Sequence, residues 1–226
     1  DPLSRLGGLR GFGAALREGH TSAAEVTADY LRRIAALQPK LQCFELVLAD
    51  EAAAAAKAID DMLAAGTDLG PLMGVPVSIK DIYAVSGAPT TNGSNVPTED
   101  LTGEEGSFVA MLRRAGCVIV GKTKTAEFAY AAHGENRARG TPHNPWDAAV
   151  ARWPGGSSSG AGVAMGAGLS AFSIGSDTGG SVRIPAALNG VVGHKTTIGH
   201  YPTDGVYPLS PSLDTVGPLC RTAQDV

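Results

Sequence analysis

Three short segments of this 226-residue chain are best placed to do covalent chemistry. They are Ser78-Ile79-Lys80-Asp81, Gly155-Gly156-Ser157-Ser158-Ser159-Gly160 and Gly175-Ser176-Asp177-Thr178-Gly179-Gly180-Ser181. Each segment sets a small nucleophile or a lysine on a glycine-rich turn or at a strand end. Such turns let the backbone approach a substrate closely. A serine hydroxyl is a poor nucleophile until a neighbour takes its proton. None of His20, His133, His143, His194 and His200 sits in a catalytic or metal-ligating pattern. The combination implies a hydrolase whose serine is activated by lysine.

Two other motifs match by letter and fail by context. Gly116 to Thr123 reads GxxxxGK[ST], the phosphate-loop pattern. In a phosphate loop the strand precedes the first glycine and the middle four residues form the cradle. Here the middle four, Cys117-Val118-Ile119-Val120, are themselves the apolar strand, so their amides belong to a sheet. Gly156-Ser157-Ser158-Ser159-Gly160 reads GxSxG with Ser158 central. That elbow needs an apolar strand directly before it, and Ala151-Arg152-Trp153-Pro154 is not one.

The composition is that of a chain with a sizeable core, 43% hydrophobic and 18% charged. A net charge of −4 gives no reason to expect nucleic acid or an acidic membrane as partner. Cys43, Cys117 and Cys220 form no CxxC pair, which supports neither a zinc site nor a disulfide framework. A reducing cytoplasm is the expected location. No signal peptide is visible after Asp1-Pro2, and the small-residue stretch 160–175 is too short and interrupted for a membrane span.

Positioning these residues requires a scaffold, and the patterning supplies one. The first 70 residues read as helical. Ser22-Ala23-Ala24-Glu25 matches a capping box, Val26, Tyr30, Ile34 and Leu37 follow at helical spacing, and Pro39 lies beyond the expected end. A second helix is expected from about Asp50 to Ala65, with Gly66 as its cap. Val75 to Ile79 reads as a strand leading into Lys80. A helix over about 106–115 and a strand from Cys117 follow, with further strands at 169–174 and 191–192. Strands alternating with helices predict an α/β fold with a buried sheet.

Taken in order, these segments resemble the amidase signature family. The resemblance rests on Gly155-Gly156-Ser157-Ser158, on Gly175 through Ala186, and on the 24 positions separating Ser157 from Ser181. Gly74 through Asp81, Gly121-Lys122-Thr123 and Leu213 through Pro218 agree with it, so it spans nearly the whole chain.

The resemblance implies roles. Ser181 is the nucleophile, Ser157 the bridging serine and Lys80 the base. Lysine can act so only when neutral, which requires its pKa to fall from about 10.4 toward 7. The Gly156–Ser157 peptide is implied to be cis. The amides of Thr178, Gly179, Gly180 and Ser181 are the expected oxyanion hole, with Ser158, Asp177 and Arg183 orienting that turn. Residues 128–136 are expected to line part of the substrate pocket. The implied activity is cleavage of a carboxylic amide to acid and ammonia or amine through a seryl acyl-enzyme, with no metal or organic cofactor. A glutaminase (A) subunit of a tRNA-dependent amidotransferase is the alternative within the family, and an inactive binding module the alternative outside it. A small-molecule amide is the expected partner, a homodimer is left open, and nucleic acid enters only if the chain is part of an amidotransferase. The implied fold is a mixed sheet flanked by helices, with a helical lead-in over about 1–70 and a catalytic core over about 71–226. Family members are expected to be much longer, so the fold is expected to be incomplete at its C-terminus.

Overall fold

Where the chain turns from helix to strand is decided by short local signals. The computed structural model describes residues 1–147 and 149–226. A 3-10 turn over Pro2–Leu6 leads into α1 (Gly8–Arg17) and α2 (Ala23–Leu41), followed by β1 (Phe44–Val47) and α3 (Ala49–Ala64). Then come β2 (Pro76–Lys80), α4 (Glu99–Thr102), α5 (Ser107–Arg114) and β3 (Val118–Thr123). The second half supplies α6 (Ser159–Ala167), β4 (Phe172–Ser176), α7 (Arg183–Asn189), β5 (Val192–Gly193) and β6 (Val216–Cys220).

Ser22 caps α2 as expected, its hydroxyl accepting the Glu25 N–H at 3.0 Å. The rest of the cap comes from elsewhere. The Asp60 carboxylate on α3 accepts the N–H groups of Ala23 and Ala24 at 2.8 and 2.9 Å, while Glu25 accepts from the Thr21 hydroxyl. α2 also runs past Pro39, to Leu41. A proline in the last turn forfeits one N–H bond but its φ suits the helix. Gln42, in the left-handed conformation, closes the helix with its N–H on the Gln38 carbonyl at 2.8 Å. The first 70 residues are therefore not all helical. β1 follows α2 directly, and the Gln38 side chain holds its first residue, donating to the Phe44 carbonyl at 2.7 Å and accepting its N–H at 3.0 Å.

The six strands form one mixed sheet in the order β1-β3-β2-β4-β6-β5. β3, β2 and β4 run parallel at its centre, and β1, β6 and β5 pair antiparallel. Val77 and Ile79 of β2 join α1, α2 and α5 in one core, through Phe12, Leu16, Val26, Tyr30, Phe108 and Leu112. Val118 and Val120 of β3 join α3 and α6 in another, through Ala52, Ala56, Ile59, Val163 and Ala164. α6 is buried along nearly its whole length, which fits a helix with no polar face. Cys43, Cys117 and Cys220 are buried free thiols, each pushed by burial up to about 12.

The topology marks one place for chemistry. From the C-terminal end of β2 the chain leaves through α4 and α5 to β3 on one side. From the C-terminal end of the adjacent β4 it leaves through α7 to β5 and β6 on the other. Neighbouring parallel strands whose exits diverge open a crevice at their carboxyl ends. Lys80 is the last residue of β2, and Ser176 the last of β4.

Candidate active site

β2 delivers Lys80 to this crevice because Val77 and Ile79 anchor the strand in the core beside Phe172 and Ile174 of β4. The Lys80 side chain is wholly buried. Its Nζ donates to Ser157 Oγ at 2.7 Å and to Ser176 Oγ at 2.8 Å. Burial pushes its pKa down to about 7, against the opposing pull of the Asp177 and Asp214 carboxylates. A lysine in this state is a base near neutrality.

Ser157 arrives from the loop that feeds α6. Its peptide bond to Gly156 is cis, as the resemblance implies. Glycine at 156 is required by space, since a Cβ there would collide with the Ala131 carbonyl oxygen. The Ser157 carbonyl accepts the Ala126 N–H at 3.1 Å. Next along, the Ser158 N–H donates to the Ser181 carbonyl at 3.1 Å. The Ser158 hydroxyl donates to the Ser176 carbonyl and accepts the Ser176 N–H, both at 3.3 Å. That hydroxyl is committed to β4, and the described residues 149–155 form no strand. The GxSxG reading has neither its strand nor its free hydroxyl. The phosphate-loop reading falls likewise, because Val118 to Thr123 is β3, paired on both sides.

The turn after β4 is held by Asp177. Its carboxylate accepts the N–H groups of Gly180, Val182 and Arg183 at 2.7, 3.1 and 3.3 Å. Arg183 adds its guanidinium, with Nε and Nη2 each at 3.0 Å. Burial alone would raise the Asp177 pKa, but Arg183 and these amides outweigh it and hold the carboxyl below its usual range. Gly180 makes the turn possible at φ +135°, a conformation that L side chains rarely adopt.

Of the four amides expected to form the oxyanion hole, that of Gly180 donates to Asp177. Among the described residues, the N–H groups of Thr178, Gly179 and Ser181 have no acceptor. Ser181 is half-buried, and its hydroxyl makes no hydrogen bond among the described residues. The structure thus brings Lys80 and Ser157 into contact. It ties Ser181 to their neighbourhood through backbone alone.

Three contributors were not anticipated. Ser176 is the second acceptor for Lys80, and its position in the quoted glycine-rich segment was the only hint. Lys195 donates to the carbonyls of Asp177 and Leu213 and to Thr215 Oγ1, bracing the turn from behind. Asp214 accepts the Thr178 hydroxyl and the N–H groups of Leu209 and Ser210, the latter two at 2.9 Å. A small cavity of about 50 Å³, lined by Ser176, Tyr207 and Asp214, shares Tyr207, Pro208 and Leu209 with an open groove of about 640 Å³. Phe128, Tyr130, Ala131, Glu135 and Asn136 line that groove.

Known proteins are similar to the chain over most of its length. The amidase family's sequence model matches residues 25–226. The chain is 44% identical to 2-amino-5-chloromuconic acid deaminase from Comamonas testosteroni, covering 94% of this chain and 46% of that protein. It is 45% identical to the A subunit of glutamyl-tRNA(Gln) amidotransferase from Acidothermus cellulolyticus, over 94% of this chain and 42% of that one. Its fold is similar to native peptide amidase from Stenotrophomonas maltophilia, with a TM-score of 0.88 and 34% identity over 96% of this chain and 46% of that one. The chain spans a little under half the length of these relatives. A sheet-end crevice holding a buried lysine on a serine, and a family match running from α2 to the last residue, lead to one conclusion: the chain belongs to the amidase signature family.

Proposed function

We propose that the protein hydrolyses a carboxylic amide to acid and ammonia or amine, with Ser181 as nucleophile. The observation that carries this reading is the fully buried Lys80 with its Nζ 2.7 Å from Ser157 Oγ. Neutral Lys80 takes the Ser157 proton as Ser157 takes that of Ser181. The Ser181 oxygen then attacks the amide carbon. Charge develops on the carbonyl oxygen, and the Thr178, Gly179 and Ser181 N–H groups are the donors left to meet it. One such donor is worth about 3 kcal/mol. Running backward, the relay protonates the leaving nitrogen, which is the demanding step of amide cleavage. Water then releases the acid from the acyl-enzyme by the same route. Nothing in this sequence of steps calls on a metal or organic cofactor.

Release of ammonia or amine from a panel of small amides tests the reading. Hydrolysis by the wild type that disappears in Ser181→Ala supports it, and hydrolysis surviving that substitution overturns it.

A second reading, that the chain is the glutaminase part of an amidotransferase, is favoured by its 45% identity to the A subunit of such an enzyme. Ammonia release from glutamine only after partner subunits are added would select it over a free-standing amidase. We further infer a cytoplasmic location, a reading supported by three buried cysteines that are all free thiols. Among the described residues, no helix is long and apolar enough to cross a membrane.

A further inference from the structure

Lys122 is the second fully buried lysine of the chain, and the relay does not use it. It lies on β3, where the register sets Ile79 beside Lys122 and Lys80 beside Thr123. Its Nζ is 2.7 Å from Asp81 Oδ1, and both side chains are sealed from solvent. The same ammonium donates to the Pro89 carbonyl at 2.8 Å and to Thr90 Oγ1 at 2.6 Å. The other Asp81 oxygen accepts the Thr91 N–H at 3.1 Å and the Thr91 hydroxyl.

A buried ion pair is weak evidence for stability, because its desolvation offsets most of its attraction. Its position is more informative. Asp81 directly follows Lys80, where β2 ends. The Asp81 N–H donates to the Thr123 carbonyl at 2.9 Å, and its carbonyl accepts the Asn92 N–H at 3.1 Å. The Asn92 carbonyl accepts the Phe128 N–H at 2.8 Å, and the Ala126 N–H, in the same turn, donates to the Ser157 carbonyl. Phe128 and Ala129 both hold left-handed backbone, at φ +50° and +58°. Non-glycine residues keep such conformations only when their surroundings over-determine them. A continuous path of bonds therefore joins the ion pair to the relay serine.

We propose that Asp81 and Lys122 are positioning residues that clamp the end of β2 and the turn over 126–129, and so hold Lys80 against Ser157. The proposal rests on the reading of Lys80 as the base. The clamp has no contact with substrate. Lys80 Nζ bonds Ser157 and Ser176, while the Asp81 carboxylate faces Lys122 and Thr91, so the pair is not the hydrogen-bonded counter-ion of Lys80.

Asp81→Asn and the double variant Asp81→Asn with Lys122→Met, made in the whole protein, test this. Three quantities are followed: thermal stability, kcat and KM on an amide the wild type cleaves, and the NMR titration of Lys80 in lysine-labelled protein. Misplacement of a catalytic group by about 1 Å can cost about 100-fold, so kcat is expected to fall by about that factor while KM stays near its wild-type value. The Lys80 midpoint is expected to rise from about 7 as water reaches the loosened strand end. The double variant leaves no buried charge unpaired. It is expected to recover thermal stability without recovering kcat, and it keeps the test open should the single variant fail to fold. A folded double variant with wild-type kcat and wild-type Lys80 titration would overturn the proposal, as would a single variant that loses stability alone. Should the wild type cleave no amide, the functional reading fails by itself, and the Lys80 titration still decides the clamp.

Discussion

Lys80 Nζ lies 2.7 Å from Ser157 Oγ, at the carboxyl end of a central strand and without solvent contact. The contact joins residues 77 positions apart in the chain. It depends on β2 running parallel to β4 while α6 starts two residues after Ser157. Burial holds the lysine near 7, and on the proposed reading the serine hydroxyl passes the Ser181 proton inward to it.

The first consequence is a pH profile. Lys80 must be neutral to act, and its pKa is depressed to about 7. The kcat/KM of hydrolysis is therefore expected to rise with pH through about 7 along a single-proton limb and level off above it. Lys80→Arg, which stays charged, is expected to remove activity at every pH. A rate that instead falls with rising pH through that range contradicts the assignment.

Stability carries the same signature. Unfolded lysine titrates near 10.4 and folded Lys80 near 7, so between these values the unfolded state binds more protons. Wild-type stability then gains about 1.4 kcal/mol per pH unit over that window from this group. Below about 7 the penalty for the buried ammonium is fully present. Lys80→Met is expected to stabilise the fold most at or below neutral pH, with its advantage shrinking toward pH 10. Chemical denaturation at pH 6.5, 8 and 9.5 measures the trend.

Ser157→Ala removes one of the two hydroxyls that Lys80 Nζ contacts, the other being that of Ser176. Proton-transfer steps of this kind contribute about 1000-fold, so kcat is expected to fall by about that factor with the fold intact. Circular dichroism alongside single-turnover kinetics separates loss of chemistry from loss of structure.

Asp177→Asn weakens the carboxylate that gathers the Gly180, Val182 and Arg183 amides. If this turn presents the oxyanion donors, kcat is expected to fall about 100-fold, with a smaller change in KM. Arg183→Ala is expected to do much less. Its side chain is 52% exposed, and without it the buried Asp177 carboxylate keeps the Gly180, Val182 and Arg183 backbone amides and the nearby Lys195 ammonium.

The sequence made some of this legible and hid the rest for identifiable reasons. Lys80 could be placed because the apolar run Val75 to Ile79 ends on it, whereas Ser157 and Ser181 were singled out from their neighbouring serines only by the family resemblance. Ser176 was not recognised as a Lys80 partner, since its hydroxyl is aimed by the pairing of β4 with β2 and not by any local pattern. Lys195 was equally hidden, and Asp214 lay within the quoted Leu213 through Pro218 with no sign of its role, because loops from beyond β5 carry both back under the Asp177 turn. The hydrogen bond from Gly180 to Asp177 was hidden for a similar reason. A glycine pair promises convergent amides, but only the fold decides which of them an internal carboxylate takes first. β1 was missed because four residues are too few to show a period, and its hold on the sheet comes from β3 and from Gln38.

The central claim is that Ser181 is the nucleophile of a lysine-driven relay. Peptide mapping by mass spectrometry after treatment with a fluorophosphonate tests it most directly. The account predicts one adduct, on Ser181, that forms faster as pH rises through about 7 and is absent from Ser181→Ala. An adduct that persists in Ser181→Ala and disappears in Ser158→Ala would contradict it.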